Sequence, residues 1–228
     1  MTSIKGSKIY EDRAKNKDYR DIQIDKIGKI ALDIRKALGI SEDIFAITKE
    51  MLDDAVESIG KAMAKVFGKP EYENIKGRLQ EFNEGTTLLG LTKDGKCDKN
   101  GRNFIEKISN EKFVIYYEYE HEGVLPYLTI LHELGHVVMH WDKMEVAETV
   151  GNRKKRIKNR FYCNDPGFIH SDAQVFARTF AMPEKGFLEV AERAKSDNNV
   201  YDPNLFAKTY KIYCSQVNVR GVELNIWR

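Results

Sequence analysis

The sequence has little cysteine and almost no net charge. Only three cysteines occur among 228 residues, and no two of them form a CxxC pair. Because a disulfide framework needs an even number of cysteines and an oxidising compartment, we interpret all three as free thiols of a reducing cytosol. They are Cys97, Cys163 and Cys214.

The small net charge of +2, from 37 basic and 35 acidic residues, argues against direct binding to nucleic acid. No apolar run approaches the length of a membrane span. Residues 1–20 are polar and charged, without the apolar segment of a secretory signal. We therefore expect a cytoplasmic protein that binds no membrane. An apolar content of 42% is enough for one well-buried core.

Residues 1–83 predict a charged leader followed by a helical extension. Apolar positions recur at helical spacing from Asp21 to Leu38, and again from Ile44 to Val66. Ser41 is placed to be the N-cap of the second helix. A third, shorter helix is predicted from Tyr72 to Phe82.

Residues 84–200 differ in character and predict strands followed by helices. The run Phe113–Tyr119, rich in β-branched and aromatic residues, is the best strand of the chain. It fits either a sheet edge, where an extended peptide could add as a further strand, or an interior strand. Other elements are predicted as a strand over Thr86–Thr92, a helix opened by Pro126, and helices over 171–181 and 184–195.

Residues 201–228 predict a C-terminal pair of helices. Asp202-Pro203 has the order of an N-cap followed by proline in the first helical position. This helix is predicted to reach about Tyr213, and Ser215 could cap the second. The last helix offers a single basic residue, Arg220, before the terminus, so we do not expect it to read DNA.

The central motif of the chain is His132-Glu133-Leu134-Gly135-His136, an HExxH pattern inside an apolar run. On a helix, residues i and i+4 project from the same face, so both imidazoles can bind one Zn²⁺. Glu133 lies close to the same ion and is placed to take a proton from a water that the metal activates. The motif predicts a zinc metallohydrolase, and most of all a peptidase. An amphipathic helix with two incidental histidines is the alternative.

A catalytic zinc has three protein ligands, and the third is not evident from the motif. His140 lies eight residues after His132, roughly 12 Å along a helix axis, which is too far to share one ion. Asp142 has the spacing of the third ligand in the longer HExxHxxGxxH pattern, but Met139 stands where that pattern has glycine.

The downstream helix offers two further candidates for the third ligand, His170 and Asp172. Residues i and i+2 diverge by about 200° on a helix, so the two cannot point the same way. A histidine near a helix start is often a bystander, and an aspartate there can simply favour the helix dipole. The residues alone therefore leave the third ligand open.

These features resemble the ImmA/IrrE family of zinc metallopeptidases, found on bacterial mobile genetic elements and in radiation-tolerant bacteria. The resemblance covers roughly residues 84–228. It rests first on a strand followed by HELGH, with a further histidine at His140. The second point is the family's downstream pattern E-x-x-A-x-x-F-A…M-P, to which His170–Pro183 is similar. The third is the C-terminal helical pair.

The resemblance implies that the third zinc ligand stands three residues before Ala173, where the family has glutamate and this chain has His170. A site of His132, His136 and His170 would still bind zinc. Asp172 is the alternative after a small shift in register, and a degenerate site that no longer cleaves is a further one. The implied activity is a zinc-dependent endopeptidase that cleaves a helix-turn-helix repressor or a similar regulatory protein.

Two other functions are kept as hypotheses. The first is a binding module with a zincin fold, inactive or weak as a catalyst, that acts on a regulatory partner by contact. The second is DNA binding through the C-terminal pair and the run Asn152–Arg160, in which six of nine residues are basic. A solvated loop or helix end is the simpler interpretation of that run. Retention of Glu133 favours the peptidase.

The sequence therefore predicts an α+β fold in three parts. A small antiparallel sheet packs on a zincin-like active-site helix in a metallopeptidase core, residues 84–200. The charged leader and helical extension occupy residues 1–83, and a helix-turn-helix-like subdomain occupies residues 201–228.

Overall fold

The structure is a computed structural model that describes residues 23–81, 104–117, 126–144, 146, 148–150, 153–155, 169–196 and 200–227. The α-helices in these ranges are α1 (23–37), α2 (Lys49–Phe67), α3 (Tyr127–His140), α4 (Ile169–Ala181), α5 (Glu184–Ala194), α6 (Pro203–Tyr210) and α7 (Cys214–Glu223). Two single-turn 3₁₀ helices occupy Pro70–Tyr72 and Trp141–Lys143. The strands are β1 (Lys76–Glu81), β2 (Phe104–Lys107), β3 (Lys112–Tyr117), β4 (Glu148–Val150) and β5 (Arg153–Lys155). The expected α+β class is confirmed.

Strand β3 is the centre of a three-stranded sheet with the order β1-β3-β2. Strand β2 runs antiparallel to β3, whereas β1 runs parallel to it. The expectation of an antiparallel sheet is therefore wrong for one of the two pairings. A parallel pair needs a long crossover connection, which a local hydrophobic pattern does not reveal. The run Phe113–Tyr119 contains an interior strand, so the sheet-edge interpretation of that run is wrong.

The segment from Tyr72 to Phe82, expected to be a helix, contains strand β1 instead. Gly77 lies opposite Phe113 in the parallel pair, and the ring of Phe113 covers the glycine so closely that a Cβ there would overlap it. This contact with a strand more than thirty residues away decides the local structure. Tertiary pairing overrides the weak helical pattern of the segment.

Helix α2 begins at Lys49 rather than at Ile44, because Thr48 and not Ser41 is its N-cap. The Thr48 hydroxyl accepts a hydrogen bond from the backbone N–H of Met51 at 3.3 Å. Ser41 instead accepts from the N–H of Asp43 in a separate turn, also at 3.3 Å. Both residues are good caps ahead of the same apolar stripe, so the sequence pattern could not separate them.

One hydrophobic core joins the helices from both ends of the chain to the sheet. It has fully buried members in α1, α2, β3, α3 and α5, represented by Ile34, Ile59, Ile115, Leu134 and Phe187. The HExxH helix lies inside this core and not on its surface. The expected boundaries of the three parts, after residues 83 and 200, stay predictions.

Helices α3 and α4 meet in direct backbone contact at Gly135. A Cβ at this position would lie 3.0 Å from the carbonyl oxygen of Ala173 and 3.1 Å from Cδ1 of Phe176. A larger residue would push the two helices apart, so the glycine inside the HExxH motif sets their separation. The crossing brings the first turn of α4 beside the last turn of α3.

Arg35 of α1 holds the C-terminal end of α4. Its guanidinium is almost fully buried and donates to the carbonyl oxygen of Phe180. It also donates to the carbonyls of Ser41 and Ile44, both at 2.7 Å. Burial lowers the pKa of Arg35 to about 10, so it remains charged at neutral pH. A buried cation is costly unless it is hydrogen-bonded, and here backbone carbonyls supply the bonds.

Arg220 of α7 reaches the same end of α4. Its Nε donates to the carbonyl oxygen of Met182 at 3.1 Å, and its Nη1 donates to Glu223 at 3.3 Å. Glu223 also accepts from Nε and Nη2 of Arg178 on α4, at 3.0 and 2.5 Å. These largely buried charges connect the last helix to α4.

Lys107, a buried residue of β2, binds the backbone just after the C-terminal end of α3. Its ammonium group donates to the carbonyl oxygens of Trp141 and Met144, at 3.2 and 3.0 Å. It also lies 4.3 Å from the centroid of the Trp141 ring. A cation at a helix C-terminus interacts favourably with the partial negative charge of the carbonyls at that end. Lys107 therefore ties the sheet to the HExxH helix.

The remaining helices begin close to where the sequence predicts them. Pro126 directly precedes α3, and Asp202 caps α6 by accepting from the N–H of Asn204 at 2.9 Å. Helix α6 ends at Tyr210, earlier than expected, because Lys211 takes a left-handed conformation with φ 53°. Helix α7 begins at Cys214, one residue before the expected cap.

Several expectations fall on residues that the structure does not describe. They are the leader 1–20, the strand Thr86–Thr92, and the thiols of Cys97 and Cys163. Cys214 is a free thiol, as expected. The described part of the basic run forms β5, which pairs antiparallel with β4. Among the helices of the described ranges, none has the length and apolar character needed to cross a bilayer.

Gly60→Ala is expected to destabilise the protein, because Gly60 packs against the chain where α2 approaches β1. Its N–H donates to the carbonyl of Ile75 at 3.1 Å, and a Cβ would overlap the carbonyl oxygens of Ile75 and Tyr72. We expect the free energy of unfolding to fall by about 2 kcal/mol or more, as in an overpacked core. Urea unfolding measures this change.

Gly28→Ala in α1 is the matched control for that substitution. A Cβ at Gly28 would lie 3.8 Å from Thr179, an ordinary contact. Alanine is the better helix former, so the control should gain up to about 1 kcal/mol. A Gly60→Ala variant as stable as the control would contradict the close packing of α2 on the segment before β1.

Candidate metal centre

Helix α3 presents three histidines, one turn apart, inside the core. The helix is unbroken from Tyr127 to His140, so His132, His136 and His140 follow at intervals of four residues. Their exposed fractions are 9%, 1% and 4%. Burying an imidazole without polar partners costs free energy, so a buried row of three indicates a polar cluster.

The Nε2 atoms of His132 and His136 face one another at 3.2 Å. Their rings are perpendicular, with centroids 4.8 Å apart. Two imidazole nitrogens bound to one tetrahedral zinc at about 2.0–2.1 Å lie roughly 3.3 Å from each other. The pair therefore has the separation of two ligands of a single zinc. Without a metal, the same distance suits one hydrogen bond in which one ring donates.

Glu133 follows the first of these histidines, and its carboxyl group is enclosed by protein although the residue as a whole is only partly buried. This desolvation raises the pKa of Glu133 to about 8. A divalent cation nearby would lower that pKa again, toward the neutral range. A carboxyl group that exchanges its proton near neutral pH suits a general base.

His140 neighbours the facing pair without joining it. Its ring centroid lies 5.6 Å from that of His136, with the rings tilted by 44°. Burial, and then the positive charge of Lys143, lower the pKa of His140 to about 4, so it is neutral at physiological pH. On the unbroken helix His140 lies eight residues from His132, the spacing that argues against a shared ion.

Asp172, in the first turn of α4, faces His140. Its Oδ2 lies 3.9 Å from Nε2 of His140, and its side chain is 28% exposed. Burial raises the pKa of Asp172, and Lys143 opposes part of that shift. The close crossing at Gly135 places this carboxylate beside the last turn of α3.

His170, the favoured third ligand, also lies in the first turn of α4. Its backbone is helical, but its side chain lies outside the described residues. Among the side chains that the structure does describe, no three histidines, cysteines or carboxylates form a group that could hold a metal ion. The assignment of His170, or of Asp172 in its place, therefore stays a prediction.

Asp142, which the longer zinc pattern suggests by spacing, has other partners. Its Oδ2 accepts hydrogen bonds from the Tyr72 hydroxyl at 2.5 Å and from the Lys69 ammonium at 3.2 Å. The bond from Tyr72, and with it that from Lys69, lowers the pKa of Asp142. This cluster ties the turn after α3 to the segment between α2 and β1.

Two residues that shape the site were missed in the sequence. Gly135 occupies a variable position of the HExxH pattern, but a glycine inside an apolar helix often marks a close packing contact. Lys107 lies far from the motif, and nothing local marks a strand lysine as a cap on a distant helix. Only the fold brings Lys107 to the end of α3.

Comparison with protein families matches residues 114–220 to the Peptidase_M78 model, described as the IrrE N-terminal-like domain. The matched stretch is a little under half of the chain, and it runs from within β3 to Arg220. It includes α3 with the whole HExxH motif, and α4. Comparisons with curated proteins and with solved structures gave no match.

The family match and the motif geometry agree on the same part of the molecule. The two helices that meet at Gly135 lie within the matched residues, and so does the downstream pattern His170–Pro183. Residues 114–220 therefore match the IrrE N-terminal-like domain, in agreement with the resemblance that the HExxH helix and its downstream partner suggest.

Proposed function

We propose that this protein is a cytoplasmic zinc-dependent endopeptidase that cleaves a helix-turn-helix repressor or a similar regulatory protein. The match of residues 114–220 to a peptidase-family model supports a protein substrate. The main observation in support of a metal site is the 3.2 Å separation of the Nε2 atoms of His132 and His136. The choice of a repressor rests on the family resemblance alone.

The residues proposed to hold the zinc are His132, His136 and His170, with Asp172 as the alternative to His170. Neutral imidazoles are good zinc ligands, and three protein ligands leave one position open. When bound, the zinc would act as a Lewis acid that polarises the scissile carbonyl and makes water more acidic. Placement of His132 and His136 on one buried helix face supports this assignment.

Glu133 is proposed as the general base. It accepts a proton from the attacking water and delivers that proton to the leaving amine. The group must therefore exchange its proton near neutral pH. The enclosure of its carboxyl, which raises the pKa of Glu133 above its ordinary value, supports this role.

The purified protein is expected to contain about one zinc per chain, the stoichiometry of a single catalytic site. Glu133→Gln should keep the zinc and lose about a hundredfold or more of its cleavage of an unfolded test protein such as casein. His136→Ala should lose the zinc. Elemental analysis and a cleavage assay measure the two effects.

The outcomes of that experiment separate the functions. An unmodified protein that takes up no zinc, even after reconstitution, would contradict the peptidase. Zinc retained without cleavage, in the unmodified protein and Glu133→Gln alike, would favour the binding module that acts on its partner by contact.

His170→Ala is expected to release the zinc on dialysis, because it removes a ligand. Asp172→Asn should retain the metal under the same conditions, since its carboxylate lies beside His140. Elemental analysis of both dialysed variants is the measurement. Zinc retained in His170→Ala and lost in Asp172→Asn would assign the third ligand to Asp172 instead.

A further inference from the structure

A row of side chains connects the first turn of α4 to the facing histidines of α3. Oδ2 of Asp172 lies 3.9 Å from Nε2 of His140. The ring of His140 lies 5.6 Å from that of His136, centroid to centroid. His136 in turn faces His132 across 3.2 Å. The row therefore runs from a partly exposed carboxylate to the buried pair.

The backbone fixes the distance between the two ends of this row. Gly135 contacts Ala173, the residue directly after Asp172, so the helices cannot slide apart without breaking a packed contact. Lys107 holds the end of α3 on the other side, through the carbonyls of Trp141 and Met144. The position of Asp172 over His140 is thus a property of the helix crossing.

The carboxylate of Asp172 lies close enough to His140 for its charge to act on the ring. A separation of 3.9 Å is too long for a direct hydrogen bond. A negative charge at this distance from a buried imidazole favours the tautomer and the ring orientation that turn an N–H toward it. When the His140 ring is held in one orientation, it limits the orientations that the neighbouring His136 ring can adopt.

We propose that Asp172 is a positioning residue of the metal centre, which fixes His136 through His140 and does not itself contact the metal. The inference rests on the proposed zinc site. Groups that hydrogen-bond to a metal ligand change metal affinity by about 10–100-fold, and a group that acts through one further side chain belongs at the lower end of that range. Asp172 and His140 should therefore contribute to zinc affinity as one unit.

Asp172→Asn should weaken zinc binding by about tenfold, the lower end of the range for such supporting groups. Competition with a chromophoric chelator measures the dissociation constant. Asp142→Asn is the matched control, because its carboxylate lies near the same end of α3 but bonds to Tyr72 and Lys69. The control should bind zinc as tightly as the unmodified protein.

A double-mutant cycle tests whether Asp172 acts through His140. His140→Phe should weaken zinc binding by a similar factor, and adding Asp172→Asn to it should cause no further loss. His140→Gln provides the same cycle in a variant that keeps a polar side chain. Thermal unfolding of the metal-free proteins should be unchanged by Asp172→Asn, which separates positioning from a loss of stability.

Three results would contradict this inference while leaving the proposed zinc site intact. One is unchanged zinc affinity in Asp172→Asn, and another is a full additional loss in the His140→Phe background. The third concerns the Co²⁺-substituted Asp172→Asn protein. A change in its visible absorption that indicates the loss of one ligand would make Asp172 a direct ligand. By contrast, zinc binding that survives His136→Ala would overturn the proposed zinc site itself.

Discussion

The contact between α3 and α4 at Gly135 is the constraint on which the candidate site depends. In the proposed site, α3 carries the HExxH residues and α4 carries the candidate third ligand. These two sets of residues can meet only if the backbones touch, and a Cβ at Gly135 would already press on Ala173. Gly135 therefore sets the distance between the two helices, a role that its position in the motif does not reveal.

Buried cations hold both helices at their C-terminal ends. Lys107 closes α3 from the sheet, whereas Arg35 and Arg220 close α4 from opposite ends of the chain. The carbonyls at a helix end need donors when they are buried, and these side chains supply them. The helical extension and the last helix are therefore parts of the scaffold that fixes the two site helices.

The sequence predicted the local part of the site and missed the parts that depend on distant contacts. The spacing of His132, Glu133 and His136 requires only one helix, and α3 has the predicted start at Pro126. Strand β1 was missed because the partner that covers Gly77 is Phe113, far along the chain. The third ligand stays open for the same reason, since it depends on which side of α4 faces α3.

The hydrogen bond from Arg35 to the carbonyl of Phe180 spans 145 residues of sequence. Closing a loop of that size costs chain entropy before any contact is gained, and contacts between distant residues slow folding. The HExxH helix can form early from local interactions, but its partner helix is anchored only when the chain has closed on itself. Metal binding at the proposed site should therefore report the last stage of folding, because it needs both helices in place.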